Sequence, residues 1–455
     1  MTNLSDLFPA GAGKQVSFVA DGAISAAGEP VILNGAGTVT PVGMGAASDV
    51  GTPVVFEAAA TEYCAPTFDS DSNKVVIAYR DEGNSNYGTA VVGTVSGDSI
   101  SYGTPVVFES GSTLWVGATF DSDSNKVVIA YLDLGNSSYG TAVVGTVSGT
   151  TISFGSVVVF QSTSISGYGT GITFDSNSNK VVIAYNDQNV NNGTAIVGTV
   201  SGTSISFGTA VVYNSAVVYY TSCTFDSNSN KVVIGYRDGG NSYHGYGIVG
   251  TVSGTSISFG TGVNFEAAST QLISATFDSD SNKVVIAYND EDNSSYGTAV
   301  VGTVSGTAIS FGTPVVFEAA ATNTPSATFD SSSNKVVIAY SDGGNSDHGT
   351  VIQGTVSGTT ISFGSAAVFE AAGSLFIGAT FDSNSNKVVI AYRDVGNSYY
   401  GTGVVYSTTA TNLTAANFIG ISDAAILDTA SGNVTIKGGI AATGLTSLTP
   451  GSDYY

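Results

Sequence analysis

The sequence predicts an all-β protein: a seven-bladed β-propeller with a small additional β domain. The main observation is a stretch of 12 residues, Phe120–Tyr131 (FDSDSNKVVIAY), that occurs in seven close copies. The copies define repeats one to seven and begin at Phe68, Phe120, Phe174, Phe225, Phe277, Phe329 and Phe381. A nearly fixed spacing of this size indicates a repeat architecture. The composition agrees, since 58 glycines and only 10% charged residues suit strands joined by tight turns.

Each repeat contains the pattern of four strands, as repeat two illustrates. Residues 114–120 form a short segment of small residues, and residues 121–125 have the composition of a turn. Residues 126–131 are a continuous apolar run, which is typical of a strand buried on both faces. Further strands are predicted over 141–147 and 152–160. Four antiparallel strands per repeat match one blade of a propeller.

The two ends of the repeat array predict how the ring closes. Repeat seven ends with the strand Gly401–Tyr406 and lacks a fourth strand, whereas Gly51–Glu57 matches a fourth strand and precedes repeat one. A ring closed by this N-terminal strand would leave no open end, which removes exposed strand edges. The fourth strand contains Pro53, Pro105 and Pro314. Since proline is tolerated on edge strands, we expect the fourth strand to be outermost in each blade.

The sequence divides into three segments. Residues 49–407 contain the propeller, and the flanks 1–48 and 408–455 are small and rich in predicted strands. Asn34-Gly35 lies between two apolar runs, which is a strong signal for a β-hairpin. Because closure of the ring brings both flanks to the same blade, we expect them to form one small β domain in which the propeller is inserted.

The flanks also resemble a known class of proteins. Residues 416–421 (ANFIGI), 428–439 (DTASGNVTIKGG) and 448–455 (LTPGSDYY) resemble a module of tail-fibre and other virion surface proteins of tailed bacteriophages. Residues 13–19 and 30–35 are similar to the segment that precedes that module. The similarity covers about 90 residues at the two ends, and the chain stops at Tyr455, where such modules continue. It implies a position on the virion surface, contacts with other virion proteins and a homo-oligomer.

Charge and hydropathy exclude several classes of partner. The net charge is −23, and only 12 lysines and arginines are present, so we expect no binding to nucleic acid. No apolar run is long enough to span a membrane, and the start of the chain lacks the pattern of a signal peptide. Cys64 and Cys223 lie in repeats one and four, too far apart for a disulfide. No cofactor is expected.

One side of the predicted ring is the candidate binding face. The turns on the opposite side are nearly identical in every repeat, whereas the connections between blades and the loops between second and third strands vary and are rich in aromatic residues. Varied loops on a rigid scaffold favour a binding role, and neutral drift in exposed loops is the alternative. The candidates are Tyr63, Trp115, Tyr168, Tyr219, Tyr220, Tyr243, His244, Phe376, Tyr399 and Tyr400.

Three arginines complete the candidate face. Arg80, Arg237 and Arg393 occupy the same position, at the end of the second strand in repeats one, four and seven. Three arginines around one carboxylate would indicate a sialidase-like site, but the Asp-box pattern of sialidases is absent. We expect no catalytic residues, because no nucleophile and base stand in a recognisable pattern.

The repeated turn invites a second interpretation, as a metal site. Asp69-Ser-Asp-Ser-Asn73 resembles the start of a calcium loop, but its third position varies between repeats and no glutamate follows at the required spacing. A hydrogen-bonded turn is the preferred interpretation, and no metal site is expected.

The resulting hypothesis is a non-enzymatic virion surface protein. Its propeller would bind a host cell-surface glycan or outer-membrane component, because aromatic rings stack on sugar faces while amides and carboxylates bind hydroxyls. Two alternatives stay open. One is a decoration or filament subunit without a host ligand, and the other is a propeller glycosidase with carboxylates at the mouth of the channel.

Overall fold

The structure, a computed structural model, describes residues 15–19, 30–33, 39–41, 49–165, 169–408, 418–422 and 430–436. The chain divides into two compact units. One comprises Asp49–Thr408, and the other combines Met1–Ser48 with Thr409–Tyr455. Among the described residues, no helix is long and apolar enough to cross a membrane.

The strands are numbered in chain order. Four precede repeat one: β1 (Gln15–Val19), β2 (Pro30–Leu33), β3 (Val39–Pro41) and β4 (Asp49–Val50). Repeat one contains β5 (Val54–Asp69), β6 (Lys74–Asp81), β7 (Tyr87–Ser96) and β8 (Ser99–Tyr102). Repeat two contains β9 (Val106–Asp121), β10 (Lys126–Asp133), β11 (Tyr139–Ser148) and β12 (Thr151–Phe154). Repeat three contains β13 (Val158–Ser164), β14 (Gly171–Asp175), β15 (Lys180–Asp187), β16 (Asn192–Ser201) and β17 (Ser204–Phe207).

The later repeats follow the same plan. Repeat four contains β18 (Val211–Asn214), β19 (Val218–Asp226), β20 (Lys231–Asp238), β21 (His244–Ser253) and β22 (Ser256–Phe259). Repeat five contains β23 (Val263–Asp278), β24 (Lys283–Asp290), β25 (Tyr296–Ser305) and β26 (Ala308–Phe311). Repeat six contains β27 (Val315–Asp330), β28 (Lys335–Asp342), β29 (His348–Ser357) and β30 (Thr360–Phe363). Repeat seven contains β31 (Ala367–Asp382), β32 (Lys387–Asp394) and β33 (Tyr400–Ser407), and β34 (Phe418–Ser422) and β35 (Ser431–Ile436) follow.

Repeat two shows the strand pairing, which is antiparallel throughout. The end of β9 pairs with β10, β10 pairs with β11, and β11 pairs with β12. Beyond β12 the chain leaves the sheet at residues 155–157 and returns as β13, which also pairs with β11. The fourth strand, predicted as one segment over 152–160, is therefore interrupted. In β5, β9, β23, β27 and β31 the first half is the second part of the preceding repeat's fourth strand, and it continues without a break into the first strand of the following repeat.

The strand before repeat one pairs with the last strand of repeat seven. Val54 and Val55 of β5 lie opposite Gly403 and Thr402 of β33, and β4 pairs with the end of β33.

The second unit is a sheet with strands from both ends of the chain, in the order β1-β35-β34-β2-β3. The two strands of the predicted hairpin pair at Leu33 and Val39. The turn between them, residues 34–37, and the segment 448–455 lie outside the described residues.

The repeated turn is held by its first aspartate. The Oδ1 atom of Asp69 accepts hydrogen bonds from the backbone N–H groups of Asp71 and Ser72, both at 3.0 Å. The last residue before the second strand, Asn73, has a left-handed backbone with φ of 53°, which asparagine tolerates better than most residues. The equivalent aspartates in the other six repeats make the same pair of bonds. The prediction of a hydrogen-bonded turn is confirmed.

Consecutive repeats pack together through an aromatic contact. We call the surface between two consecutive repeats a junction and name it by their numbers. We call the second part of each fourth strand the outer strand. At the 1/2 junction, the ring centroid of Phe108, in the outer strand of repeat one, lies 5.3 Å from that of Tyr131 in the second strand of repeat two. Equivalent pairs at the other junctions, including Phe56 and Tyr79 at the 7/1 junction, lie at 5.1–5.2 Å. Each such pair contributes roughly 0.5–1.5 kcal/mol beyond the area that it buries.

The core of the large unit lies at these junctions. Each hydrophobic cluster combines side chains of two consecutive repeats, and one cluster joins Val389 and Val405 of repeat seven to Val75 and Ile77 of repeat one. A single repeat therefore cannot bury its apolar faces alone, as is typical of repeat proteins. Glycine makes room for the aromatic residue of the outer strand: a Cβ at Gly88 would lie 2.3 Å from Phe108 Cε2.

A tyrosine–glutamate hydrogen bond accompanies the aromatic pair at five junctions. The hydroxyl of Tyr79 donates to Glu57 Oε2 at 2.9 Å, and Tyr131 donates to Glu109 at 3.0 Å. The other three bonds join Tyr288 to Glu266, Tyr340 to Glu318 and Tyr392 to Glu370. At the remaining two junctions the glutamate is replaced by Gln161 or Asn214, and the amide instead donates to Asp187 or Asp238.

Burial at the junctions raises the pKa of several acids. Desolvation raises the pKa of Glu57 and Glu370 above the ordinary value, although the tyrosine hydrogen bond opposes it. The same cause raises the pKa of four aspartates that end second strands, Asp81, Asp133, Asp290 and Asp394. The folded protein therefore binds protons at these groups more tightly than the unfolded chain does.

We predict that the protein becomes more stable when the pH is lowered from about 7 to about 5, because a raised folded-state pKa stabilises the protonated folded form. This contribution is complete below the ordinary carboxyl pKa and is lost as the pH rises through the raised values. Urea unfolding at several pH values measures it. Glu57→Gln combined with Glu370→Gln should flatten the dependence, since glutamine occupies this place naturally at Gln161. A loss of stability over this range would contradict the prediction.

Candidate functional site

The first strands of all seven repeats line a common cavity of about 270 Å³. Small side chains predominate, such as Gly117 and Gly171. Hydrogen bonds link successive first strands around part of it: Ser222 Oγ accepts from the N–H of Ala275 at 3.0 Å, and Ser274 and Ser326 accept in the same way from the next repeat. The first strand thus lies beside the central cavity.

Both cysteines also lie on this cavity as free thiols. Cys64 is buried, whereas Cys223 is partly exposed. Burial raises the pKa of the Cys64 thiol to about 12, so that this thiol is neutral.

A backbone irregularity interrupts the first strand at the same position in each repeat. In repeat one the pairing of β5 with β6 shifts between Glu62 and Ala65, and Tyr63 adopts a left-handed backbone with φ of 53°. The equivalent residues have φ of 45–53°, except for glycine at 109°: Trp115, Gly169, Tyr220, Leu272, Thr324 and Phe376. Bulky residues disfavour this conformation by roughly 1–2 kcal/mol, and such strain is concentrated at functional sites. We call these seven residues the bulge positions.

Three of the bulge residues form a continuous aromatic cluster. The ring of Tyr63 lies 4.8 Å from Trp115 and 4.9 Å from Phe376, measured between centroids. The cluster therefore extends over repeats seven, one and two. Desolvation, with a smaller contribution from Glu62, raises the pKa of Tyr63 to about 12, so its hydroxyl remains a neutral hydrogen-bond donor.

An ion-pair group borders this cluster at the 7/1 junction. Arg393 of repeat seven reaches Glu62 at 3.1 Å and Glu82 at 3.3 Å, both in repeat one. Arg80 also pairs with Glu62. The guanidinium carbon of Arg393 lies 4.5 Å from the ring centroid of Tyr399, which is 44% exposed. Burial, followed by the hydrogen bond with Glu82, raises the pKa of Glu62.

A second group of the same kind lies at the 4/5 junction. Arg237 of repeat four binds Glu291 of repeat five at 2.6 Å, and its guanidinium carbon lies 4.4 Å from the ring centroid of Tyr243, which is 45% exposed. Tyr219 and Tyr220 each lie 5.9 Å from the same guanidinium.

The structure thus brings most of the predicted residues into two groups. Arg80 and Arg393 meet at one carboxylate, whereas Arg237 lies elsewhere, so the three arginines do not converge. His244 and Tyr400 begin third strands, opposite aspartates of the second strands. Tyr168 lies outside the described residues.

Sequence reasoning missed the acidic partners of the arginines. Glu82 and Glu291 follow the aspartate of the second strand in repeats one and five, where the other repeats hold Leu134, Gln188, Gly239, Gly343 and Val395. A position-by-position comparison of the repeats would have found this exception.

Comparison with known proteins supports the fold. No protein-family model and no curated protein matches the chain. A lectin from Burkholderia pseudomallei is similar in structure over 80% of this chain and 100% of the lectin, with a TM-score of 0.57 and 10% identity. The similarity supports the all-β fold with mostly antiparallel strands.

Two further solved structures are more weakly similar. SapL1 lectin in complex with alpha methyl fucoside has a TM-score of 0.43 and 12% identity over 68% of this chain and 96% of that one. A mutant of AofleA from Arthrobotrys oligospora has a TM-score of 0.45 and 11% identity over 78% of this chain and 99% of that one.

We predict that Thr324→Gly stabilises the protein by about 1 kcal/mol, because glycine adopts the left-handed backbone at this position without the strain that a β-branched side chain causes. It also removes a buried hydroxyl that has no hydrogen-bond partner among the described residues. Chemical denaturation measures the change. Thr328→Gly is the control: this residue pairs with Val337 in the regular part of the same strand, so its replacement should destabilise. Destabilisation by both substitutions to a similar extent would contradict the idea of strain at the bulge.

Proposed function

We propose that this chain is a non-enzymatic virion surface protein, similar to tail fibres, whose seven-bladed propeller binds a glycan on the host cell. The observation that carries the proposal is the set of large side chains at the bulge positions. Tyr63, Trp115, Tyr220 and Phe376 occupy a backbone conformation that glycine would adopt without strain. The rings contact neighbouring side chains but remain partly exposed, and exposed aromatic faces suit stacking on sugars.

Seven blades in a closed ring are part of the proposal. The pairing of β5 with β33, the hydrophobic cluster shared by repeats seven and one, and the cavity lined by all seven repeats support it. The lectin-like fold supports a glycan as the ligand, since the similar protein from Burkholderia pseudomallei is a lectin.

The proposed position on the virion is inferred from the terminal segments. Their resemblance to a module of phage surface proteins supports attachment to other virion proteins and assembly as a homo-oligomer. Several copies on one particle would strengthen weak individual sites through avidity.

We predict that the purified protein binds host cells and that Trp115→Ala combined with Tyr220→Ala reduces this binding roughly tenfold, because each lost stacking contact contributes roughly 0.5–1.5 kcal/mol. A pull-down with intact cells and a glycan array measure the loss. Asp123→Asn is the control: it lies in a repeated turn, where other repeats hold asparagine, and should bind normally.

Other results of this experiment would favour the alternatives. Regular self-assembly without binding to cells would favour a decoration or filament subunit. Release of reducing sugar from host polysaccharide would overturn the non-enzymatic proposal in favour of a glycosidase.

We further predict that antibodies against this chain label the tail of intact particles. Electron microscopy with gold-labelled antibody measures the position, and particles of an unrelated phage serve as the control. Labelling spread over the head would contradict the role in host attachment.

A further inference from the structure

The ion-pair groups at the 7/1 and 4/5 junctions share one arrangement of five side chains. The preceding repeat supplies an arginine, a tyrosine beside it and a ring at the bulge position, and the next repeat supplies two polar side chains. At the 7/1 junction these are Arg393, Tyr399, Phe376, Glu62 and Glu82. At the 4/5 junction they are Arg237, Tyr243, Tyr220, Gln271 and Glu291.

The two arrangements agree in detail. The guanidinium carbon lies 4.5 Å from the ring of Tyr399 and 4.4 Å from that of Tyr243. It lies 5.9 Å from the bulge ring in both cases, Phe376 or Tyr220. Side chains from two repeats therefore form equivalent constellations at two separate places of the chain.

The residue types coincide at these two junctions and at no other described junction. Tyrosine follows the loop serine only in repeats four and seven, where the other repeats hold Asn86, Ser138, Asn191, Ser295 and Asp347. Glutamate follows the aspartate of the second strand only in repeats five and one. Arg80 of repeat one lacks both partners: Asn86 stands in place of the tyrosine, and the next repeat holds Leu114 and Leu134 in place of the two polar side chains. The arginine, the tyrosine and the glutamate lie at separate positions of the repeat, and their joint occurrence at the same two junctions indicates a common function.

Stability alone does not explain the tyrosines. Tyr243 and Tyr399 have φ of 63° and 64°, a left-handed backbone that the small polar residues of the other repeats adopt at lower cost. Ion pairs across a junction need the arginine and the carboxylate but no exposed ring. Each tyrosine has one side near a guanidinium and remains more than two-fifths exposed.

We propose that each chain carries two equivalent sites, at the 7/1 and 4/5 junctions, for an uncharged saccharide unit that stacks on Tyr399 or Tyr243. This inference rests on the proposed glycan-binding function and adds the number of sites and the class of sugar.

Charge balance selects the class of sugar. At the 7/1 junction, two arginines face two glutamates, and at the 4/5 junction Arg237 faces Glu291. The guanidinium charge is therefore already neutralised within the protein, and the net charge of −23 repels anions further. Carboxylate oxygens accept hydrogen bonds from sugar hydroxyls, and the ring binds the apolar face of the sugar.

Single substitutions to the residue of other repeats test the sites. Tyr243→Ser and Tyr399→Ser place the serine of Ser138 and Ser295 at these positions, so the fold should tolerate them, and thermal unfolding checks this. The probes are methyl α-mannoside, methyl β-galactoside and methyl α-fucoside, compared with glucuronic acid and N-acetylneuraminic acid. Native mass spectrometry should find up to two molecules of a neutral glycoside per chain, one in each single variant and none in the double variant. Tyr139→His, which copies His244, is the control and should keep two.

The outcomes separate the inference from the proposed function. An unchanged number of bound molecules in the double variant, or preferred binding of the acidic sugars, overturns the two sites but leaves glycan binding intact. If no probe binds, adsorption to host cells decides: loss in the double variant supports the sites, and full adsorption overturns them. Absence of both sugar binding and cell adsorption in the unmodified protein overturns the proposed function itself.

A rebuilt site gives a further test at the 1/2 junction, where Arg80, which pairs with Glu62 of its own repeat, holds the position equivalent to Arg393 and Arg237. Asn86→Tyr, Leu114→Gln and Leu134→Glu together supply the missing partners. We expect a third bound molecule per chain in a protein whose thermal unfolding remains cooperative. A folded triple variant that still binds only two molecules would contradict the assignment of these side chains to the site.

Discussion

The fold depends on the packing of the outer strand of one repeat against the second strand of the next. Phe108 lies on Tyr131, whose hydroxyl donates to Glu109 of the same outer strand. An aromatic contact alone would tolerate sliding of one repeat along the other. The hydrogen bond to a half-buried carboxylate adds a fixed direction, and such bonds contribute roughly 1.5–3 kcal/mol. Because every junction repeats this contact or a close variant, the constraint is distributed over the whole array.

The same junctions position the candidate site. The loop after the second strand is fixed by its aspartate, as Asp394 is by the bond from the N–H of Asn397. Arg393 precedes that aspartate and reaches carboxylates of the next repeat, while Tyr399 follows the loop. Structural and candidate binding residues therefore alternate along a few residues of the chain. The invariant ones hold the repeats together, and the variable ones form the ion-pair groups at two junctions.

Much of the fold could be predicted from the sequence because the same repeat occurs seven times. The turn at Asp69, the buried strand that begins at Lys74 and the variable aromatic loops all follow from local patterns. The interruption of the fourth strand did not follow, because residues such as Ser156 and Val157 continue a strand-like pattern. The left-handed backbone at Trp115 was also hidden, since glycine holds that position in only one repeat, at Gly169, and the aromatic residues there look like ordinary strand residues.

The sequence by itself determined the repeat, its local turns and which loops of each repeat vary. These properties depend on neighbouring residues, whose spacing is visible along the chain. Only the tertiary structure decided which side chains meet. Arg393 and Glu62 are separated by 331 positions, and Arg237 and Glu291 by 54, so their pairing depends on how one repeat packs on the next. Contacts across a junction leave no local period, which is why the two equivalent groups became visible only in three dimensions.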